Sequence, residues 1–194
     1  MSSTQTMTRS EFLRSGLKSL FAFAGEAFDH QVESRARKMV IPLHRPPGAI
    51  DELAFLTRCT RCDLCAQACP HDAIVKAGTR YGTAVDTPMI RPSETPCYLC
   101  DDTPCIPACP EGALVPVDKI NMGTAHVIHI QCFAFNGQVN LCDYCFDRCP
   151  LKGHAIVMSD GKPRVLEENC VGCGLCEYYC PAPGNAIKVF PDRV

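Results

Sequence analysis

Four times along this chain a run of cysteines closes with the same signature, C-x3-C-P. Motif one is Cys59, Cys62, Cys65 and Cys69 before Pro70; motif four is Cys170, Cys173, Cys176 and Cys180 before Pro181. Both read C-x2-C-x2-C-x3-C-P. Motif two, with Cys97, Cys100, Cys105 and Cys109 before Pro110, widens the second gap to four residues. Motif three, with Cys132, Cys142, Cys145 and Cys149 before Pro150, widens the first gap to nine. The four quartets use all 16 cysteines once, and none is left over.

Thiols this dense have three possible uses. Disulfide frameworks belong to small secreted domains, and they rarely repeat one tight spacing four times. Zinc ribbons use C-x2-C pairs, but a zinc site has no reason for a further cysteine three residues after the third, nor for a recurrent Cys-Pro. The regular motifs match the bacterial ferredoxin run, in which three closely spaced thiolates wrap one cubane and the fourth reaches a neighbouring cluster. The proline stands where the backbone turns and stops donating hydrogen bonds. Motifs two and three are variants in which a longer loop still delivers its thiolate. All sixteen cysteines are therefore read as iron ligands of four [4Fe–4S] clusters. With only 7% aromatic residues and no Trp, the chain has little else to hold its loops.

The formal net charge is −2, which does not suggest the basic footprint of a nucleic-acid binder. Thiolate ligands and cluster cores together would carry it to roughly −10, favouring partners with basic docking surfaces. No stretch reaches 18 consecutive apolar residues, so no transmembrane helix is expected. A glycine-rich dinucleotide loop after a strand is also missing, so flavin or nicotinamide binding has no support.

Between the motifs the pattern is that of short strands and turns. Asp72–Val75, Gly112–Val115, His154–Val157 and Asn185–Lys188 each follow a Cys-Pro and read as a turn entering a strand. Arg164–Leu166 and Ala125–Ile130 read as incoming strands, the latter half-buried by its alternation. Short helices are expected to follow the third cysteine of each motif. The fold class is α+β: two pseudo-symmetric bacterial-type 2[4Fe–4S] ferredoxin modules of short hairpins and short helices, plus an N-terminal amphipathic helix. The domain reading is a helical extension over 1–44 and a four-cluster body over 45–194, with motifs at 59–70, 97–110, 132–150 and 170–181.

Particular strings carry a family resemblance. Arg45-Pro46-Pro47-Gly48-Ala49 precedes motif one, Pro96-Cys97-Tyr98-Leu99-Cys100 opens motif two, and Cys132-Phe133-Ala134-Phe135-Asn136-Gly137 opens the gapped motif three. In these the chain resembles the four-cluster ferredoxin-type proteins of the MauM/NapG family, associated with methylamine oxidation and periplasmic nitrate reductase. The resemblance implies an electron-transfer protein, not itself an enzyme, that relays electrons between the donor and acceptor subunits of an oxidoreductase system. The alternative is a structural or assembly subunit whose clusters mainly hold a docking scaffold.

Exported relatives carry a twin-arginine signal. Here Thr8-Arg9-Ser10-Glu11-Phe12-Leu13-Arg14 keeps the frame but has Ser10 where the second arginine belongs. Lys18 and Glu26 interrupt the following apolar segment, and no clean cleavage site follows. A cytoplasmic protein is expected, with periplasmic export by the degenerate signal as the alternative. Leu13, Leu17, Leu20, Phe21, Ala24 and Phe28 share one helical face. Such a helix packs on the body or on a partner subunit, or makes peripheral membrane contact through residues 8–39.

Because each fourth cysteine serves another motif's site, the motifs must pair. Neighbour pairing joins one with two and three with four. Nested pairing joins one with four and two with three, as in the four-cluster subunits of molybdenum oxidoreductases, which motif two also resembles. Nesting matches the regular motifs with each other and the expanded ones likewise, and is the favoured expectation. It puts Cys69 with Cys170, Cys173 and Cys176, and Cys180 with Cys59, Cys62 and Cys65. Cys109 then joins Cys132, Cys142 and Cys145, and Cys149 joins Cys97, Cys100 and Cys105. His71 reads as a turn residue, with a hydrogen bond near a cluster as the alternative; His126 and His129 do not read as a ligand pair, and Tyr178 and Tyr179 read as rings packed over a cubane.

Overall fold

The computed structural model describes residues 42–137 and 142–191. These belong to one compact unit that begins at Pro42. The expected N-terminal helix, the twin-arginine frame and the 8–39 membrane contact lie outside the described residues.

The chain enters the body along the string Arg45–Ala49, and its residues explain one another. The Arg45 guanidinium is only 7% exposed. It donates to both carboxylate oxygens of Glu52, at 2.8 and 2.5 Å, and to Thr87 Oγ1 and the Pro88 carbonyl at 2.8 and 2.6 Å. Its Cζ lies over the Phe55 ring, 4.4 Å from the centroid. A buried guanidinium needs such a full set of acceptors. Gly48 follows with φ +75°, and a side chain there would collide with the Val115 carbonyl. Ala49 then pairs with Leu114 in an isolated antiparallel bridge.

The first helix, α1 (Glu52–Arg58), starts at Asp51, whose carboxylate accepts from the amides of Leu53 and Ala54. It carries Glu52 in its first turn and Arg58 in its last, each on the favourable end of the dipole. Its inward Phe55 is fully buried, and it stops at Cys59, where motif one begins.

The remaining elements are short. Helices α2 (Leu64–Gln67), α4 (Tyr144–Asp147) and α5 (Leu175–Tyr178) each contain the third cysteine of motifs one, three and four. Motif two makes only turns there, against expectation. Pro104 and Pro107 flank Cys105, and two missing amide donors within four residues prevent a helical turn from propagating. One further helix, α3 (Phe133–Asn136), starts after Cys132 and ends on Gly137 in the left-handed region.

Among the described residues, three two-stranded antiparallel sheets complete the fold: β1 (Ile74–Lys76) with β2 (Pro88–Ile90), β3 (Thr124–Val127) with β6 (Ile187–Phe190), and β4 (Ile156–Ser159) with β5 (Lys162–Val165). Asp160 and Gly161, both at positive φ, make the β4–β5 turn. Three of the four segments after a Cys-Pro become strands as expected; Gly112–Val115 yields only the Leu114 bridge. The strand foreseen at Ala125–Ile130 ends at Val127. One pattern of closure occurs twice: the ends of 49–115 meet around the β1–β2 hairpin, and the ends of 124–190 meet around β4–β5. The fold is thus the α+β ferredoxin type.

The apolar core is divided into small clusters, with cysteines as members. Phe55, Ile74, Ile106 and Leu114 pack with Cys65 and Cys105, while Ala125, Ile156 and Ile187 pack with Cys145 and Cys176. Thiols occupy positions that larger aliphatic side chains fill in ordinary cores.

Candidate iron–sulfur sites

Four cavities each carry four cysteines in their walls. One is lined by Cys59, Cys62, Cys65 and Cys109, and a second by Cys97, Cys100, Cys105 and Cys69. The third holds Cys132, Cys142, Cys145 and Cys180, the fourth Cys170, Cys173, Cys176 and Cys149. Each takes the first three thiols of one motif and the last thiol of the adjacent motif in sequence. Motif one exchanges fourth cysteines with motif two, and motif three with motif four. The nested pairing is therefore corrected: Cys69 sits with Cys97, Cys100 and Cys105, not with the motif-four thiols. Closure decides this, because the Ala49–Leu114 bridge and the β3–β6 ladder each fold two successive motifs against one another.

The local geometry explains why a fourth thiol leaves its own motif. In motif one Arg61 and Asp63 adopt φ of 61° and 65°, curling the loop so that Cys59, Cys62 and Cys65 face one cavity. Helix α2 then carries the chain away before Cys69. Three fourth or first cysteines also receive main-chain hydrogen bonds on sulfur: Ala73 N–H to Cys69 Sγ at 3.4 Å, Ala125 N–H to Cys170 Sγ at 3.4 Å and Ala186 N–H to Cys180 Sγ at 3.2 Å. Such donors favour negative charge on the sulfur and tune cluster potentials.

Without a cation the quartets resist ionisation. Burial, with neighbouring thiolates adding to it, pushes Cys65 and Cys145 up to about 12 and Cys97, Cys105 and Cys173 up to about 11. Cys176 is driven well above the usual thiol range by burial first and by the Cys173 and Cys170 charges next. A positively charged core would reverse this, releasing protons as it binds. The donor set fits such a core: all-thiol, partly dry, with four sulfurs spread round a cavity. Among the described residues no three of these side chains converge on a point suited to a single metal ion.

Some wall residues escaped the sequence reading. Ala73, Ala113, Ala155 and Ala186, each 1–2% exposed, line the cavity that their own motif's fourth cysteine enters. An aliphatic neighbour (Ile74, Leu114, Ile156 or Ile187) lines it too. The signal was present as an Ala-Ile or Ala-Leu pair after every Cys-Pro, where only a small side chain leaves room. His71 is more than a turn residue: it lines the motif-two cavity and stacks on Tyr98 with centroids 4.3 Å apart. Tyr178 and Tyr179, expected over a cubane, line none of the four cavities. They meet edge to face at 4.9 Å, with the Arg148 guanidinium 4.6 Å from the Tyr179 ring. Tyr179 also hydrogen-bonds Tyr98, which raises the Tyr98 phenol above its ordinary range. His126 and His129 remain apart in role, the latter stacked on Phe135.

Short antiparallel hairpins, four-residue helices and thiol-lined cavities define a [4Fe–4S] ferredoxin-type electron-transfer protein. The 4Fe-4S dicluster domain family matches residues 58–113, a span that takes in motifs one and two together. The chain is 36% identical along its whole length to the methylamine utilization ferredoxin-type protein MauM of Methylorubrum extorquens, covering 94% of that protein. It is 40% identical over 160 residues to MauM of Paracoccus denitrificans and 39% over 163 residues to the ferredoxin-type protein NapG of Escherichia coli. Each of these two alignments spans 76% of this chain and 70% of the relative. The chain belongs to the MauM/NapG family of ferredoxin-type iron–sulfur proteins.

Proposed function

We propose that this protein holds four [4Fe–4S] clusters on its sixteen cysteines and relays electrons between the donor and acceptor proteins of an oxidoreductase system, without catalysing a reaction of its own. The observation that carries this reading is the composition of the four cavities, each with three thiols of one motif and the fourth of its neighbour. A bound [4Fe–4S] core supplies reversible one-electron chemistry. The chain supplies the rest. Its thiols fix each core in place, its repeated alanines leave space beside it, and the aliphatic neighbours keep water out.

On this reading 45–194 is the four-cluster body, built of two two-cluster modules that cross-ligate within 49–115 and within 124–190. The partners are redox proteins with basic docking surfaces, and the Ser10 in the twin-arginine frame favours a cytoplasmic placement. Among the described residues no helix is long and apolar enough to cross a membrane. Anaerobically purified protein should carry about sixteen iron and sixteen sulfide per chain. Its visible absorption should bleach with dithionite and return when a partner oxidises it. Substantial zinc, or iron near half that amount, sinks the four-cluster reading. Full iron with no electron exchange favours the scaffold alternative.

A further inference from the structure

The two halves of the body touch at two ligand residues. The Cys97 amide donates to the Cys173 carbonyl at 2.8 Å. Cys97 lines the motif-two cavity and Cys173 the motif-four cavity, so two different sites are joined by one main-chain hydrogen bond between their own ligands. Leu99, two residues beyond Cys97, stands in the wall of the motif-four cavity itself.

The surrounding contacts hold this junction closed. Met122 N–H donates to the Val171 carbonyl at 3.1 Å, and the His44 ring Nε2 to the Gly172 carbonyl at 2.6 Å. Ile90, Met122 and Leu175 pack round Cys97 and Cys173, the two cysteines in that buried group. The approach is close enough to require glycine. At Gly174, with φ +92°, a Cβ would stand 2.7 Å from Pro92 Cα.

We propose that the four sites form one unbranched row in the order motif one, motif two, motif four, motif three, and that the electronic contact between the halves runs through the main chain of Cys97 and Cys173. This rests on the four-cluster reading above. Electronic coupling decays steeply with distance, and less steeply through bonds than through space. Each half provides one link by exchanging fourth cysteines: Cys69 with Cys109, and Cys149 with Cys180. The Cys97–Cys173 bond provides the link between them. The row does not follow chain order, and motif three, not motif four, stands at its far end. At the near end lies Cys62, the one exposed cysteine of the sixteen.

Magnetic interaction between reduced clusters reads adjacency directly. The double variant Cys62→Ala/Cys142→Ala removes both end sites and leaves the motif-two and motif-four pair. After photoreduction its electron paramagnetic resonance spectrum should show interaction-split signals at about half the parental iron content. The double variant Cys100→Ala/Cys142→Ala leaves the motif-one and motif-four sites, which should appear as two isolated signals. An unsplit first spectrum, or a split second one, overturns the order. In Gly174→Ala, where the side chain wedges the junction, iron and sulfide should be retained while the splitting between motif two and motif four weakens. Retained iron with undiminished splitting overturns the path through Cys97 and Cys173. Iron far below sixteen in the unaltered protein fails the four-cluster reading instead, so the two failures are distinguishable.

Discussion

The span 49–115 is closed by a single bridge, Ala49 to Leu114, whereas 124–190 is closed by a ladder of four residue pairs between β3 and β6. The first compensates with side chains. Arg45 ties α1 to the β1–β2 hairpin through Glu52, Thr87 and Pro88, and covers Phe55 with its guanidinium. The second needs a smaller fastener. Glu177, next to Cys176 in α5 and 5% exposed, accepts from the Val189 amide at 2.7 Å and from Lys188 at 3.1 Å. Motif one has Ala66 at the matching place, and the ion pair there between the start of α2 and β1, Asp63 with Lys76, lies on the surface. Where main-chain pairing is long, one carboxylate suffices. Where it is short, a buried charged fork takes over part of the closure.

The comparison breaks most completely if the clusters are removed. Metal binding supplies folding free energy in domains with so divided a core, so chelation under reducing conditions should abolish cooperative unfolding in both spans, seen by circular dichroism and amide dispersion. Survival of the β3–β6 ladder alone would sharpen the contrast, and a fully folded iron-free body would contradict it. Residual structure in the iron-free chain should fall away as pH rises. The buried thiols are held near 11 to 12 in the folded chain against an ordinary 9. A raised thiol stabilises the fold fully below 9 and loses that contribution as pH climbs through its folded value. The loaded protein should show no such loss between 9 and 12.

Next in size is Arg45→Ala, which leaves Glu52 partly buried and unpaired and should cost about 3 kcal/mol. Iron should leave the motif-one site first, measured by iron content and thermal unfolding together. Glu177→Gln should be milder, about 1–2 kcal/mol, since the amide oxygen can still accept one bond. A Glu177→Gln loss equal to that of Arg45→Ala would mean the ladder contributes less than its length suggests. The smallest effect is expected at Lys76→Ala. Its ion pair with Asp63 is 2.5 Å long but lies on the surface, with the lysine 55% exposed. Solvent screens such a pair, and the melting temperature should not move measurably. A clear drop would assign β1 a role in closure that its exposure does not indicate.

Much of the site was legible beforehand because it is local. Three thiols spaced by two residues can converge only through tight loops, and each Cys-Pro marks where the chain departs. Even the absent helix of motif two was written in Pro104 and Pro107, although it was not read there. The four buried alanines were equally visible as a repeat, but nothing in a single chain says that a small residue is small because something must stand beside it. The buried Glu177 had no local signal, since an acidic residue in a four-residue helix ordinarily faces water.

What the sequence by itself determined is the inventory of candidate ligands: sixteen thiols in four quartets, with the closely spaced thiols of each quartet brought to one place by local spacing. What only the tertiary structure decided is the destination of the fourth. That thiol points away from its own site, and the site it enters depends on which segments pair at long range. Likeness of spacing between motifs one and four carried no information about this, because loop length sets local reach and not which motif is folded alongside. The Ala49–Leu114 bridge and the β3–β6 ladder place Cys69 and Cys109 across from one another, and Cys149 and Cys180 likewise. The contact of Cys97 with Cys173 then arises where the two closed spans pack, a position that no spacing within either motif encodes.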